Sequence, residues 1–330
     1  KTIGGENDDN LQVIRQSQDG GYIIGGFSNS NISGEKTDGS RGGTDYWIVK
    51  LNSTGSIVWQ KTIGGTGSDE LFDLIPTIDG GYILGGRSAS NISGEKTENA
   101  RGYYDYWIVK LNGNGTTAWQ KTIGGSQDDV LKSIQQTIDG GYILGGYSLS
   151  DISGDKTENN RRNRPGDYGD YWVVKLNING SVEWQKTIGG SEYDNLECIQ
   201  QTSDGNYILG GWSGSNISGE KTENTRGLYF DYWVVKLKEI DADVIKGNIF
   251  QSKNGNCTQE PNERGAPNII LKTEPKEFYS VSDSTGNYTI LTDTGKYTVK
   301  QIIPNYALPL FRNVVCPSGG IHQNISFTHY

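Results

Sequence analysis

The chain contains no methionine, only two histidines and only three cysteines among its 330 residues. Both histidines, His322 and His329, lie near the C-terminal end. A Ser-His-Asp or Cys-His site therefore has no histidine available in the long N-terminal part of the chain. Strings typical of zinc or phosphate sites are absent as well. These absences exclude histidine-dependent nucleophilic sites and zinc sites from most of the sequence.

The chain also lacks clustered positive charge and long apolar segments. Its 30 Lys and Arg stand against 39 Asp and Glu, a net charge of −9. This balance disfavours a nucleic-acid partner, because phosphate binding needs a basic surface. No apolar run predicts a membrane span, and no signal peptide is found. Because the chain opens inside a repeated string and has no methionine, we interpret it as part of a longer protein.

Glycine is abundant, with 47 residues. These glycines occur at fixed positions within a repeated sequence. Internal repeats of this length decide the fold class. The third repeat is longer because of "RRNRPGDYG" at 161–169, which we predict to be a loop. The string "KTIGG" opens every repeat, and the repeats span 1–60, 61–120, 121–185 and 186–240.

Each repeat contains strand-like runs separated by turn residues. Asp79-Gly80 separates the first two runs of the second repeat, and this dipeptide favours a two-residue type I′ hairpin. We therefore predict a four-stranded antiparallel meander in every repeat. In the second repeat the predicted strands are 71–77, 81–88, 105–112 and 116–124.

The third predicted strand, "DYWIVKL", is apolar on both faces. Trp107 and Leu111 would share one face, and Tyr106 and Ile108 the other. A sheet with one wet face would alternate more cleanly. The pattern predicts an all-β fold in which 1–240 form a β-propeller-like array of four-stranded blades, with Trp residues in the core between blades. An open solenoid stack is the alternative.

Two further features bear on how the blades meet. The Gly-Gly of "YILGG" predicts a close approach by a neighbouring backbone. The last repeat stops after Leu237 without its "WQKTIGG" strand, whereas the chain opens with an orphan "KTIGG". We therefore expect residues 1–5 to complete the last blade. The sequence leaves the number of blades in the whole ring open.

The repeated strings resemble a known group of repeats. "WQKTIGG", "DGGYILGG", "SGEKTEN" and "DYWVVKLN" are similar to delta-60-like Trp/Gly-rich repeats of secreted and surface proteins from bacteria that use type IX secretion. The resemblance covers 1–238. It implies an extracellular or cell-surface location and specifies no activity.

From residue 244 to residue 330 the text changes and resembles a collagen-adhesin B-type, prealbumin-like β-sandwich module. The resemblance rests on 245–250, 252–263, 284–288 and 295–299. It implies calcium binding by the loop 252–263, although Cys257 stands where a calcium loop prefers Gly, and a plain polar loop is the alternative. Calcium is the only cofactor expected. The oxygen-bearing residues at calcium-loop spacing are Ser252, Asn254, Asn256, Thr258, Glu260 and Glu263.

The resemblance also predicts a disulfide bond. Related modules commonly hold a Cys-Pro near the last strand, which implies a disulfide between Cys257 and Cys316. Such a bond would place the module in an oxidising, extracellular environment. Cys198, in the string "LECIQQ" of the fourth repeat, occupies the position that Ser133 has in the third repeat, and we expect it to be a buried, unpaired thiol.

Residues that differ between repeats are the candidate recognition residues. They flank the long "SNISGEKTENxRG" loop, which is longer than a structural turn requires. The alternative is that these loops only pack on each other. The predicted ligand-binding residues are Arg101, Tyr103, Tyr104, Tyr147, Trp212, Arg226, Tyr229 and Phe230.

Carboxylates recur at the same place in every repeat, as at Asp69 and Asp129. An active site is used once, so we interpret the recurring carboxylates as turn stabilisers and assign no catalytic residue. The leading hypothesis is a non-enzymatic extracellular or cell-surface protein in adhesion or a surface assembly, binding a surface glycan or another cell-surface protein. The alternatives are a carbohydrate-binding module of a larger secreted enzyme and a polysaccharide-degrading enzyme.

Overall fold

The computed structural model describes residues 1–162, 169–238, 243–251, 264–274, 279–292, 298–302 and 313–317. Every regular element in these ranges is a β-strand. No helix in them is long and apolar enough to cross a membrane. The chain divides into two compact units, the first formed by Lys1–Gln136, Tyr142–Thr202 and Tyr207–Leu237 and the second by Thr137–Gly141, Ser203–Asn206 and Lys238–Tyr330.

The first unit consists of four antiparallel sheets, blades 1 to 4, whose strands follow one another in sequence order. The predicted four-stranded meander is confirmed in blades 1 to 3. Blade 1 holds β1 Asp9–Gln16, β2 Tyr22–Ser28, β3 Asp45–Leu51 and β4 Ile57–Ile63. Blade 2 holds β5 Asp69–Pro76, β6 Tyr82–Ser88, β7 Asp105–Leu111 and β8 Thr117–Ile123. Blade 3 holds β9 Asp129–Gln136, β10 Tyr142–Ser148, β11 Asp170–Leu176 and β12 Val182–Ile188, and blade 4 holds β13 Asp194–Gln201, β14 Tyr207–Ser213 and β15 Asp231–Leu237.

The turn between β5 and β6 is not the type I′ turn that the sequence predicted. A type I′ turn needs positive φ at both central residues, whereas Gly80 has a φ of 79° and Asp79 is not in that region. The Gly80 N–H donates to the Thr77 carbonyl, and the Thr77 N–H donates to the Gly81 carbonyl, each at 2.9 Å. The loop therefore has three residues and ends in a left-handed glycine.

The third strands β3, β7 and β11 are buried along their whole length. The two faces of β7 and β11 are covered because blades 2 and 3 pack between neighbours, as the pattern predicted, whereas one face of β3 packs on blade 2 and the other is covered by Ile3. At the first junction, Tyr46 and Ile48 of blade 1 share a core with Leu71, Trp107 and Val109 of blade 2. Equivalent cores join blade 2 to blade 3 and blade 3 to blade 4. The prediction that the repeated Trp residues serve as core between blades is confirmed for Trp107 and Trp172, whereas Trp47 packs within blade 1 and against Ile3.

The same polar contact crosses every one of these junctions. A tyrosine at the second position of each third strand donates its hydroxyl hydrogen to a tryptophan carbonyl of the next blade, which satisfies a phenol that would otherwise be buried without a partner. The pairs are Tyr46 with Trp107, Tyr106 with Trp172 and Tyr171 with Trp233, each at 3.0 Å.

The Gly-Gly pairs of the second strands in blades 2 and 3 lie beside atoms from both neighbouring blades. A Cβ on Gly86 would lie 2.0 Å from the Glu70 carbonyl oxygen of the same blade and 2.7 Å from the Tyr46 hydroxyl of the preceding one. A Cβ on Gly85 would lie 2.4 Å from a methyl carbon of Leu131 in the next blade. The prediction was wrong in one respect, because the neighbouring blades approach with side chains and the close backbone belongs to the same sheet.

We expect Gly86→Ala to lower the free energy of unfolding by about 2–3 kcal/mol, because the added methyl group must displace backbone and the Tyr46 hydroxyl. Gly227→Ala is the control, since a Cβ there meets no atom within 4 Å. Its effect should stay within about 0.5 kcal/mol. Urea unfolding compares the two variants. Equal stability for both would contradict the close approach.

Residues 1–5 do not complete blade 4, contrary to the expectation from the sequence. Blade 4 contains three strands among the described residues. Ile3 packs instead on blade 1, against Trp47, Val49 and Leu51. The start of the chain thus covers part of the first blade, where these apolar side chains would otherwise face water.

The second unit contains two three-stranded antiparallel sheets in its described part, with strand orders β19-β16-β21 and β18-β17-β20. Its core includes Ile249, Leu271, Tyr288 and Ile290. The strands are β16 Asp243–Gln251, β17 Ile270–Glu274, β18 Tyr279–Val281, β19 Asn287–Thr292, β20 Thr298–Ile302 and β21 Asn313–Pro317. The predicted calcium loop 252–263, with Cys257, lies outside the described residues, as does the side chain of Cys316.

Cys198 is unpaired, as expected, but it is exposed and not buried. It lies on β13, where the equivalent residues of blades 1 and 2, Val13 and Asp73, are buried. Those two residues belong to the side of a blade that the next blade covers. Among the described residues no further blade covers this side of blade 4, which explains why the thiol is exposed.

Candidate functional site

Aromatic and cationic side chains follow one another from blade 1 to blade 4 near the ends of the second strands. Their rings are mostly half-buried, and each contacts or electrostatically influences the next. We call this set the aromatic ribbon. Its members are Phe27, Phe72, Arg87, Tyr103, Tyr104, Lys132, Tyr147, Tyr193, Trp212 and Phe230.

The ribbon begins with Phe27 of blade 1, whose ring meets Phe72 of blade 2 edge to face at 6.4 Å between centroids. The Lys132 ammonium of blade 3 lies 4.4 Å from the centre of the Phe72 ring. Ammonium groups are attracted to aromatic faces by the ring quadrupole. Phe72 therefore links three successive blades.

Arg87 is the central cation of the ribbon. Its guanidinium lies 4.1 Å from the centre of the Tyr104 ring and forms an ion pair of 2.9 Å with Glu70. Burial lowers the pKa of Arg87, but the hydrogen bond and charge of Glu70 and the nearby phenols of Tyr104 and Tyr147 raise it above its ordinary value. The guanidinium is thus a fixed, permanently charged plane.

Tyr103 extends this cluster toward solvent. Its ring meets Tyr104 edge to face at 4.7 Å, and the residue is 69% exposed. Burial raises the pKa of Tyr104, partly offset by Arg87. The Tyr104 phenol is therefore neutral at physiological pH and can donate as well as accept a hydrogen bond.

Tyr147 continues the ribbon across blade 3. Burial raises its pKa, the Arg87 charge lowers it, and Asp128, Glu197 and Tyr193 raise it further. These influences place its phenol within electrostatic reach of blade 2 on one side and blade 4 on the other. Because the raised pKa keeps the phenol neutral, Tyr147 can also donate and accept hydrogen bonds.

Blade 4 ends the ribbon with a compact aromatic group. The Trp212 ring lies 4.4 Å from Phe230 and 6.3 Å from Tyr193. Phe230 is 53% exposed and the adjacent Tyr229 80% exposed. Exposed apolar rings in one place are typical of an interaction surface.

The structure brings together Tyr103, Tyr104, Tyr147, Trp212 and Phe230 of the predicted binding residues. Tyr229 is exposed beside them. The two predicted arginines lie elsewhere. Arg101 forms an ion pair of 2.9 Å with Asp155 of the next blade, so it connects blades 2 and 3. Arg226 is an exposed side chain on blade 4 and reaches Glu223 at 3.9 Å.

Sequence reasoning missed Phe72, Lys132 and Tyr193, which lie on or just before the first strands. A usable signal was present, because the position of Phe72 and Lys132 is Gln12 in the first repeat and Glu197 in the fourth. Variation at the start of each repeat identifies the same ribbon.

The recurring aspartates are buried at the junctions and bond backbone groups. Asp129 accepts hydrogen bonds from the Gly125 N–H at 2.6 Å and the Ser150 hydroxyl at 3.1 Å, which confirms a stabilising role for this position. Burial raises the pKa of Asp129 to about 7 and that of Asp170 to about 7. In the described part of the chain, no group of three or more His, Cys, Asp and Glu residues could hold a metal ion.

Comparison with known proteins assigns no family. No protein-family model and no curated protein matches the sequence. Among solved structures, a Synechocystis apocarotenoid oxygenase mutant (Glu150Asp) aligns at 12% identity and a TM-score of 0.35, over 92% of this chain and 66% of that chain. BamB from Moraxella catarrhalis aligns at 12% identity and a TM-score of 0.22, over 88% of this chain and 99% of that chain. Neither similarity identifies an activity.

Proposed function

We propose that this chain is a non-enzymatic recognition protein of an extracellular or cell-surface assembly, and that it binds a surface glycan through the aromatic ribbon. The observation that carries the proposal is the continuity of the ribbon across all four blades. Ring and cation contacts run from Phe27 to Tyr103 and from Tyr193 to Phe230, and Tyr147 lies within electrostatic reach of both groups. The cation Arg87 lies against the Phe72 and Tyr104 rings.

The chemistry of the ribbon suits an extended, neutral polysaccharide. Aromatic faces carry negative charge density and attract the C–H faces of sugar rings, while half-buried rings lose little conformational freedom on binding. Neutral phenols and the Arg87 guanidinium can donate hydrogen bonds to sugar hydroxyls. Several such subsites in a row add their contributions, so a chain of sugars gains affinity that a monosaccharide lacks.

The architecture proposed with this function is a β-propeller-like array followed by a prealbumin-like module. Repeated blades that pack face to face support a propeller-like arrangement. The two small sheets of the second unit support a β-sandwich. Resemblance of the repeat text to secreted and surface proteins supports the location.

The test is binding to a glycan array, followed by calorimetry with the best oligosaccharide. Tyr104→Ala and Trp212→Ala should each weaken binding by about 10-fold or more, because each removes a stacking ring. Val58→Ala is the control, since Val58 is 59% exposed on β4 outside the ribbon. It should bind as the unmodified chain does.

Unchanged glycan affinity in both ribbon variants would overturn the proposal, as would the absence of binding to any glycan. The thermal stability of each variant is measured alongside. If the variants are less stable and the unmodified protein binds no glycan, the ribbon serves only to pack the loops against each other. Turnover of the bound oligosaccharide would contradict the non-enzymatic assignment.

A further inference from the structure

The last blade has one uncovered face that is covered in every other blade. On β15, Tyr232 is 95% exposed and Val234 is 64% exposed. The residues at the same repeat positions in blade 3, Tyr171 and Val173, are fully buried. Blade 4 therefore presents the surface that blades 1 to 3 use to contact the next blade.

The first blade has the complementary uncovered face. Leu11 is 62% exposed and Ile14 is 55% exposed. Their equivalents in blade 2, Leu71 and Leu74, are fully buried against blade 1. Blade 1 therefore presents the surface that blades 2 to 4 use to contact the preceding blade.

A cavity marks the position of the missing contact on blade 1. It has a volume of about 160 Å³ and is lined by Gly25, Gly26 and Trp47 among others. In blade 2 the equivalent place, beside Gly86, receives the hydroxyl of Tyr46. The cavity, whose lining also includes Lys1 and Ile3, thus lies where a tyrosine such as Tyr232 would enter blade 1.

The polar contacts of the junctions are divided between the same two faces. At each internal junction an arginine pairs with the carboxylate of the next "SGEKT" or "SGDKT" string. Blade 4 retains Arg226, whose side chain is 88% exposed, and blade 1 retains Glu35 at the equivalent position. The internal pairs are Arg41 with Glu95 at 2.6 Å, Arg101 with Asp155 at 2.9 Å and Arg161 with Glu220 at 3.0 Å.

We propose that a second copy of this chain covers these faces, with blade 4 of one copy packed on blade 1 of the other. Among the described residues, no buried cluster joins blade 4 to blade 1 of the same chain. The Tyr232 hydroxyl would donate to the Trp47 carbonyl of the second copy, and Arg226 would pair with its Glu35. The partner is a second copy because the chain itself carries both halves of an interface that it forms three times internally.

The association is head to tail, so it either closes into a ring or continues as a filament. Two copies of four blades make eight, within the usual range of propeller rings. We therefore expect a closed dimer. This inference does not depend on what the aromatic ribbon binds.

Sedimentation velocity of the full chain tests the proposal at protein concentrations up to about 100 μM, the weak end of specific interfaces. Tyr232→Asp places an unpaired charge in the blade 4 face, and Ile14→Asp does the same in the blade 1 face. Each variant should raise the dissociation constant by roughly 100-fold or more. Both replaced side chains are exposed in the single chain, so each variant should fold.

Mixing the two variants supplies the decisive measurement. The blade 4 face of the Ile14→Asp chain and the blade 1 face of the Tyr232→Asp chain are both intact, so the mixture should form a heterodimer that neither variant forms alone. Ile92→Asp is the matched control, because Ile92 is 62% exposed outside both faces. That variant should associate as the unmodified chain does.

Cys198 offers an independent readout, since it lies on the blade 4 face. Its alkylation should slow as the concentration of the unmodified chain rises and stay constant for Ile14→Asp. An unmodified chain that remains monomeric would overturn the proposal and leave the faces to another occupant, for instance further repeats of this type. Association that persists in both variants, or a mixture that stays monomeric, would also overturn it.

Discussion

Tyr171→Ala should lower the free energy of unfolding by about 3–5 kcal/mol, the usual cost of removing a large buried aromatic side chain. Tyr171 is fully buried between blades 3 and 4. Its ring lies 4.9 Å from Trp233, and its hydroxyl donates to the Trp233 carbonyl at 3.0 Å. The substitution therefore removes packing and leaves a buried carbonyl with one fewer donor.

The chain offers a matched control for this effect. Tyr232 occupies the same position in the next repeat, within the same "DYWVVKL" string, but is 95% exposed. Tyr232→Ala should change stability by no more than about 0.5 kcal/mol when the chain is monomeric. Urea unfolding at low protein concentration measures both variants. Similar losses for the two would contradict the contacts assigned to the blade junction.

Raising the pH from 5 to 8 should destabilise the protein. Most carboxylates have the opposite effect, because they stabilise a folded protein as the pH rises. Burial raises the pKa of Asp45 to about 6 and the pKa values of Asp129 and Asp170 to about 7. In the unfolded chain an aspartate has a pKa of about 3.9. The folded state therefore binds these protons more tightly than the unfolded state does.

The sign and the window follow from this difference. Where the folded state binds more protons, the free energy of unfolding falls as pH rises. The contribution of Asp129 is complete below about pH 4 and is lost as pH rises through about 7, and its size is on the order of 4 kcal/mol. Burial lowers the pKa of Lys96 and Lys156 to about 8, so these lysines change the free energy of unfolding mainly above pH 8.

Asp129→Asn tests the assignment, because an amide imitates the protonated carboxyl in shape and charge. The variant should show a flatter profile of unfolding free energy between pH 5 and 8, and at pH 8 it should be more stable than the unmodified chain. Asp128→Asn removes a charge one residue earlier, outside the buried site, and should keep the original profile. Stability that rises steadily from pH 5 to 8 would contradict the raised pKa values.

The strands were predictable because their signals are local and are repeated in each unit of sequence. The turn after β5 was not, because Asp79-Gly80 fits a two-residue and a three-residue loop equally well, and the hydrogen bond of Thr77 to Gly81 selects the longer one. The dipeptide needs only one positive φ in the longer loop, at the glycine. Residue preference alone could not choose between them.

The burial of residues in the first and last blades could not be predicted from the sequence, for a different reason. Tyr171 and Tyr232 stand in identical strings, yet one is fully buried and the other almost fully exposed. Burial at these positions depends on whether another blade follows. For the same reason the sequence wrongly predicted that Cys198 is buried. The aromatic ribbon joins residues of different repeats, so the sequence predicted only some of its members.

The uniform junction has a consequence for how such a chain can change in length. The tyrosine hydroxyl bond and the arginine ion pair join one repeat only to the next, and equivalent strings specify them at every internal junction. In arrays of this kind stability is a sum of repeat and nearest-neighbour contributions. Duplication or loss of a whole repeat would therefore preserve these two contacts at every remaining junction, so gene rearrangement could vary the size of the array without a compensating substitution at those positions.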